Sequence, residues 1–279
     1  MARLTASAIV DTSKAICINL AKGVLSRAKR LRRAIRRIVG GHPQLPKEHT
    51  AIVDSVAEQV ESAIEGLPPA DALRILFTLD DRLYLLHGRQ AVAYGGGVHT
   101  KHRHMNFHAF FTSRLAYGEC VLDIGCGNGA LTWDMAEKAG ARVTGIDLSP
   151  SNIAMARKRF AHDNAQYVCG DALTALPSGN YTTIVMSNVL EHLPERALFL
   201  KRVQATFLPR RFLIRVPLFE RDWRVPLKKE LGLDWRLDDT HEIEYTQESF
   251  TAEVAEAGLV ITHQEVRWGE IWCELVPTR

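Results

Sequence analysis

Four short stretches of this chain carry residue types that can do chemistry, and they arrive in a telling order. Val121-Leu122-Asp123-Ile124-Gly125-Cys126-Gly127-Asn128-Gly129 reads as an apolar strand running into a glycine loop, with Ala130 opening a helix. Glycines at such a turn let backbone N–H groups approach a ligand closely. The same run also satisfies the Gly-x-Gly-x-x-Gly/Ala pattern of dinucleotide loops, a weak signal by itself, so the neighbours must decide. Asp123 stands two residues before the first glycine. A carboxylate there would repel a pyrophosphate and attract a ligand bearing ammonium and sulfonium groups. Asp147, followed by Leu148, ends the next strand 22 residues after Gly125, where a carboxylate can accept bonds from both ribose hydroxyls. Asp171, in Gly170-Asp171-Ala172, ends a third strand and can accept from an adenine amine. Ser187-Asn188-Val189-Leu190-Glu191-His192-Leu193 ends a fourth, beside the crevice where open α/β sheets bind their ligands.

The elements that must position these groups follow from periodicity. Strands are expected at Cys120–Ile124, Arg142–Ile146, Gln166–Cys169, Thr183–Ser187, Phe212–Val216, Leu259–Val266 and Ile271–Val276. Helices fit Ala130–Ala139, Ser149–Ala161, Pro194–Thr206 and Gln247–Ala257. Such alternation predicts a mostly parallel, doubly wound sheet. The last two strands are joined only by Arg267-Trp268-Gly269-Glu270, which is hairpin length, so the last strand should run antiparallel to its neighbour. Upstream, residues 47–93 read as two or three helices, with Asp71 capping the second apolar stripe. After Tyr94-Gly95-Gly96-Gly97, the run from Lys101 to about Leu115 reads as one further helix.

The formal net charge of +3 averages two opposed parts. Residues 1–40 hold ten basic side chains and one acid, a net +9, and the remainder is −6. Leu20, Val24, Ala28, Leu31, Ile35 and Ile38 share one helical face, with Lys22, Lys29, Arg30, Arg32, Arg33, Arg36 and Arg37 opposite. Such a basic amphipathic helix, over about residues 16–39, suits an anionic membrane surface; a docked helix or disorder, and an organelle-targeting or nucleic-acid-binding segment, are the other readings. No run of 18 apolar residues exists, so no membrane span is expected, and the N-terminus does not read as a secretory signal. Five cysteines without a Cys-x-x-Cys pair predict neither a disulfide framework nor a thiolate zinc site, and a reducing, cytoplasmic setting. Three regions are expected: a basic arm (1–40), a helical cap (41–104) and a ligand-binding domain (105–279).

Taken together, the four motifs resemble those of the class I S-adenosylmethionine-dependent methyltransferases, close to the broad group containing the ubiquinone-pathway O-methyltransferases. The resemblance covers about residues 105–279. It implies a Rossmann-like seven-stranded sheet with an antiparallel last strand, plus the N-terminal helical extension. It implies S-adenosylmethionine as cofactor, with Gly125, Cys126, Gly127 and Gly129 along its methionine part and Asp123 beneath the loop. Asp147 and Leu148 would hold the ribose side, Asp171 and Ala172 would flank the adenine, and Asn188 would complete the crevice. A basic side chain of the helix before the first motif would meet the cofactor carboxylate, and Arg103 is the candidate, with Lys101 and His102 behind it.

A sulfonium methyl is strongly electrophilic, so transfer is an in-line displacement in which the protein aligns the nucleophile and excludes water. A hydroxyl nucleophile gains from a base near pH 7. His192 is the first candidate and His241 the second, with Glu191 beside them. Some ubiquinone-pathway relatives carry an acid three residues before the Glu-His pair and bind a divalent ion; here that position is Asn188, so no metal is expected. His99, His102, His104 and His108 form a further cluster, with His104 and His108 four apart, but no Cys or Glu completes a ligand set. Leu218 to Tyr245 is long for a strand–helix connection and contains Arg221, Trp223, Arg224, Lys228, Lys229, Trp235 and Arg236, groups suited to a sugar face, a quinol ring or an anionic head group. The leading reading is methyl transfer to a hydroxyl of a small molecule or a glycan- or lipid-linked acceptor at the cytoplasmic membrane face. The rivals are an RNA or protein methyltransferase, a non-catalytic cofactor-binding scaffold and a nicotinamide-dependent oxidoreductase. The acidic body and the absence of an Asn/Asp-Pro-Pro-Tyr motif argue against nucleic acid.

Overall fold

The computed structural model describes residues 45–278. The basic arm, and with it the membrane-surface reading of residues 16–39, lies outside the described residues. Chain contacts divide the protein into two compact units, residues 1–66 and 67–279. In the first, Lys47–Ile64 is a helix with no buried residue; Ile52, Val53 and Val56 on its apolar stripe are exposed.

The second unit is a seven-stranded sheet in the order β3-β2-β1-β4-β5-β7-β6. β1 (Cys120–Ile124), β2 (Arg142–Asp147), β3 (Ala165–Cys169), β4 (Thr183–Ser187) and β5 (Arg211–Pro217) run parallel. β7 (Glu270–Pro277) is antiparallel to both β5 and β6 (Leu259–Arg267). The β6–β7 turn is only Trp268-Gly269, both in the left-handed region, the form that matches strand twist in a tight hairpin. Strand order reverses between β1 and β4, and that reversal opens a crevice at the carboxyl ends of these strands.

Alternating side chains divide between two cores, as the strand pleat requires. On one face, Leu122, Ile124, Ile184, Met186, Phe212 and Ile214 pack with Leu200 and Val203 of the helix Arg196–Phe207 and with Phe250 and Val254 of the helix Gln247–Glu256. On the other, Val121, Val185, Leu213 and Trp272 meet Leu131 and Met135 of the helix Ala130–Ala139 and three phenylalanines, Phe107, Phe110 and Phe111.

Three expectations change. The segment after Lys101 is two short helices, Lys101–Met105 and Phe107–Thr112, broken at Asn106 (φ 49°, ψ 38°). Asparagine tolerates the left-handed conformation, and the break turns the phenylalanines into the core while 101–105 stay near the surface. Asp71 is not the cap of the helix Pro69–Tyr94: that position is Pro68, and Asp71 lies in the first turn paired with Arg74. The long connection after β5 is not open loop; it contains a 3-10 turn, Phe219–Arg221, and the helix Arg224–Glu230. Pro69–Tyr94 belongs to the same compact unit as the sheet, because Asp80 pairs with Arg224, Asp81 with Lys228, and Arg74 Nε donates to the Leu231 carbonyl at 3.2 Å. No helix among the described residues is long and apolar enough to cross a membrane.

Candidate active site

The glycine loop sits at the reversal point and is pinned to the end of β2. Gly125 N and Cys126 N both donate to the Ile146 carbonyl, at 2.8 and 3.0 Å. Gly125 has φ +70° and a Cβ there would collide with the Val189 side chain, so the close passage of the loop under the β4 tip demands glycine. Gly127, also left-handed, faces open space, with no atom within 4 Å of a notional Cβ. A cradle is therefore left over the middle glycine. Gly129 caps the helix Ala130–Ala139, and Cys126 is buried.

Asp147 braces this cradle. One carboxylate oxygen accepts from Gly127 N at 2.8 Å; the other accepts from Ser149 N at 2.9 Å and the Asn152 side chain at 3.1 Å. Beside it, Leu148 projects 72% exposed, an apolar surface at the rim of the crevice. Asp171 is half-buried and caps its own turn by accepting from Leu173 N at 2.8 Å; the Ala172 carbonyl is held by Arg202.

Asp123 lies beneath the loop, 1% exposed, with Thr132 Oγ1 donating at 2.6 Å. Burial pushes its carboxyl up to about 7; the Thr132 bond pulls it down and the Asp147 charge adds to the rise.

The tip of β4 leads into the 3-10 turn Leu190–His192. The His192 and His241 rings meet edge to face, centroids 4.6 Å apart. Thr240 Oγ1 holds His192 Nδ1 at 2.8 Å, and burial followed by His241 lowers the His192 pKa. His241 is buried and its Nδ1 lies 3.0 Å from Glu244 Oε1. That contact occupies Nδ1, and no side-chain bond engages His241 Nε2 among the described residues. Glu244 also accepts from Arg221 and from Leu237 N, which ties the whole 218–245 segment to this histidine. Glu191 is fully buried and neither carboxylate oxygen has a partner. Burial raises its pKa to about 8, opposed by the Arg215 charge. Ligating atoms of Glu191, His192 and His241 all lie within 4.8 Å of one another, a two-histidine, one-carboxylate group that could hold a metal ion.

Other residues fall elsewhere. Arg103 is exposed, and no side-chain bond or ion pair engages it among the described residues. Asn188, strained at φ 56°, turns its side-chain oxygen to Arg215 Nε at 3.2 Å. The helix break at Asn106 separates His104 from His108, whose Nδ1 lies 2.6 Å from Asp134 Oδ2. Much of the basic and aromatic character of 218–245 is spent internally: Arg224 pairs with Asp80 and Asp222, and Lys229 sits over Phe219 and Trp235. Trp223 remains exposed. Thr132, Asn152, Arg215 and Glu244 escaped the sequence reading. Arg215 had a signal, a charge inside the apolar run Phe212–Val216, and Glu244 had another, an acid three residues after a histidine.

Residues 121–209 match a methyltransferase domain family. A ubiquinone biosynthesis O-methyltransferase of Bradyrhizobium diazoefficiens is 32% identical over 152 residues, 52% of this chain and 59% of that protein. A 2-methyl-6-phytyl-1,4-hydroquinone methyltransferase of Synechocystis is 28% identical over 156 residues, 52% of this chain and 48% of that one. The chain thus spans about half the length of these curated relatives. Among solved structures, a chain of the Haloferax volcanii complex between the Trm112 methyltransferase activator and a methyltransferase superposes with TM-score 0.53 at 16% identity, over 69% of this chain and 98% of that one. The DhpI–SAH complex gives 0.51 at 18% identity, over 69% and 94%. The seven-stranded order with an antiparallel last strand and the glycine loop after β1 thus accompany a match, over residues 121–209, to a methyltransferase domain family.

The raised Asp123 pKa has a signed consequence. The neutral acid is favoured by the fold, so its contribution is fully present below the unfolded value near 3.8 and is lost as pH rises through about 7. Thermal melts of ligand-free protein should show Asp123→Asn equal to wild type near pH 4 and more stable at pH 8; an unchanged difference across that range would contradict the buried, ligand-poor environment.

Proposed function

We propose that this protein transfers the methyl group of S-adenosylmethionine to a hydroxyl of a small molecule or of a glycan- or lipid-linked acceptor. The observation that carries the reading is the open cradle over Gly127, braced by Asp147 and rimmed by exposed Leu148, directly beside a histidine pair at the β4 tip. These residues fit the cofactor: backbone amides for its amino-acid end, a carboxylate for its ribose, an apolar edge for its adenine with Asp171 and Ala172 opposite. When bound, it supplies an electrophilic methyl on a positive sulfur. The chain's own part is to bind, align and deprotonate. Asp123 offers a negative charge that the cation draws out by lowering its pKa. His192, kept neutral by its environment and oriented by Thr240, takes the acceptor proton on Nε2. His241, oriented by Glu244, stands behind it. The O-methyltransferase names among the relatives support a hydroxyl acceptor.

Isothermal titration tests the cofactor. S-adenosylhomocysteine should bind, and Asp147→Ala should weaken it at least about tenfold, the scale of losing a charged hydrogen-bond partner. Tight NADH binding in its place would support the oxidoreductase rival.

Deprotonation by histidine alone is our first reading, since position 188 offers an amide where a hard-cation site wants an acid. The proximity of Glu191, His192 and His241 favours a second, in which a divalent ion would lower the acceptor's pKa. Zinc titration separates them: the first expects no stoichiometric uptake, and one equivalent bound by wild type but not by His241→Ala would establish the second.

We place the protein in the cytoplasm with its basic arm against the inner membrane face, on the amphipathic pattern of residues 16–39. Deleting residues 1–40 should reduce co-sedimentation with anionic vesicles; equal partitioning would reject the membrane role.

A further inference from the structure

Arg215 and Arg211 stand on the same face of β5, four residues apart. Their surroundings differ sharply. Arg211, at the amino end, is saturated: Nη2 donates to both oxygens of Glu119 at 2.8 and 2.9 Å, Nε to Thr183 at 3.0 Å, and Nη1 to Glu274 at 3.3 Å. Arg215, at the carboxyl end beside the β4 tip, is 8% exposed and under-partnered. Its Nε donates to Asn188, but Glu270 lies 3.6 Å from that nitrogen with the nearer oxygen already taken by Trp272 Nε1. Nη1 is buried with no partner at all. Guanidinium stays charged at any accessible pH, so a buried unpaired donor on it carries a substantial cost.

The geometry around this group is selective. The Phe107 ring stacks on the guanidinium at 3.7 Å and fixes the plane of its fork. His102 and His108 approach from the helices above, with Lys101 near His102. His102 is held down to about 4 by partial burial and by the positive charges of Lys101 and Arg215; His108 is lowered by burial. Both rings are thus neutral, and Asp134, the acid of that roof, is engaged by His108 and Lys138. Glu191 faces the same region yet makes no ion pair with Arg215. One planar cation with one free edge matches a planar monoanion better than a dianionic phosphate.

Resting on the methyltransferase reading, we propose that Arg215 is a carboxylate-binding subsite, its free guanidinium edge receiving an acid group of a bound ligand while Phe107 and Asn188 set its orientation. The carboxylate can come from the amino-acid end of the cofactor or from an acid-bearing acceptor, and both present the same chemistry to Arg215.

Two ligand pairs distinguish the sources. S-adenosylhomocysteine is compared with its decarboxylated analogue, S-adenosyl-3-thiopropylamine, by titration calorimetry. On protein loaded with S-adenosylhomocysteine, 3,4-dihydroxybenzoate is compared with catechol. A preference of tenfold or more for the acid in the first pair, abolished in Arg215→Gln while the decarboxylated analogue still binds as in wild type, assigns the subsite to the cofactor. The same pattern confined to the second pair assigns it to the acceptor. Should Arg215→Gln fail to melt cooperatively, Arg215→Lys replaces it and should lose part of the preference. If wild type discriminates in neither pair, or the preference survives in the variants, the subsite is overturned. If neither adenosyl ligand binds wild type, it is the methyltransferase reading that falls.

Discussion

The crevice depends on one bond, from the Gly127 amide to Asp147 Oδ2 at 2.8 Å. It joins the loop after β1 to the tip of β2, and the paired donation from Gly125 and Cys126 to Ile146 reinforces it. Because the loop is pinned there, the space over Gly127 stays open instead of filling with its own backbone. In the function we propose, the carboxylate that does the pinning also meets the ribose, so loop shape and ligand contact would be two uses of one side chain.

Charge in this domain is distributed by distance from that crevice. At the amino ends of the strands, Arg211, Glu119 and Glu274 satisfy one another. At the carboxyl ends, Asp123 and Glu191 are buried with their pKa values pushed up, and Arg215 keeps an unpaired nitrogen. Unsatisfied buried polar groups are costly, and those of Glu191 and Arg215 lie at this topological switch point.

The 218–245 segment shows how an apparent loop becomes a support. Its arginines and lysines pair with acids of the helix Pro69–Tyr94 and of the segment itself, and Arg221 anchors Glu244, which in turn orients His241. Of the residues that read as an acceptor-binding palette, Arg221 supports the histidine pair through Glu244, and Trp223 stays exposed.

Sequence alone determined the sheet and the position of the glycine loop between β1 and its helix, because strand alternation and motif spacing are local properties of the chain. It also placed the antiparallel last strand, since a two-residue turn admits no crossover. Only the tertiary structure decided what each side chain faces. The single left-handed residue Asn106 broke a helix that periodicity made continuous, because one backbone torsion outweighs an apolar pattern when three phenylalanines must reach the core. Arg103 stayed in solvent, while Arg215 was drawn from an apolar strand to the crevice edge. His241 met His192 across 49 residues, and Glu244 found it three residues on. Such meetings are set by how elements pack around the reversal of strand order, a long-range condition that no local spacing records.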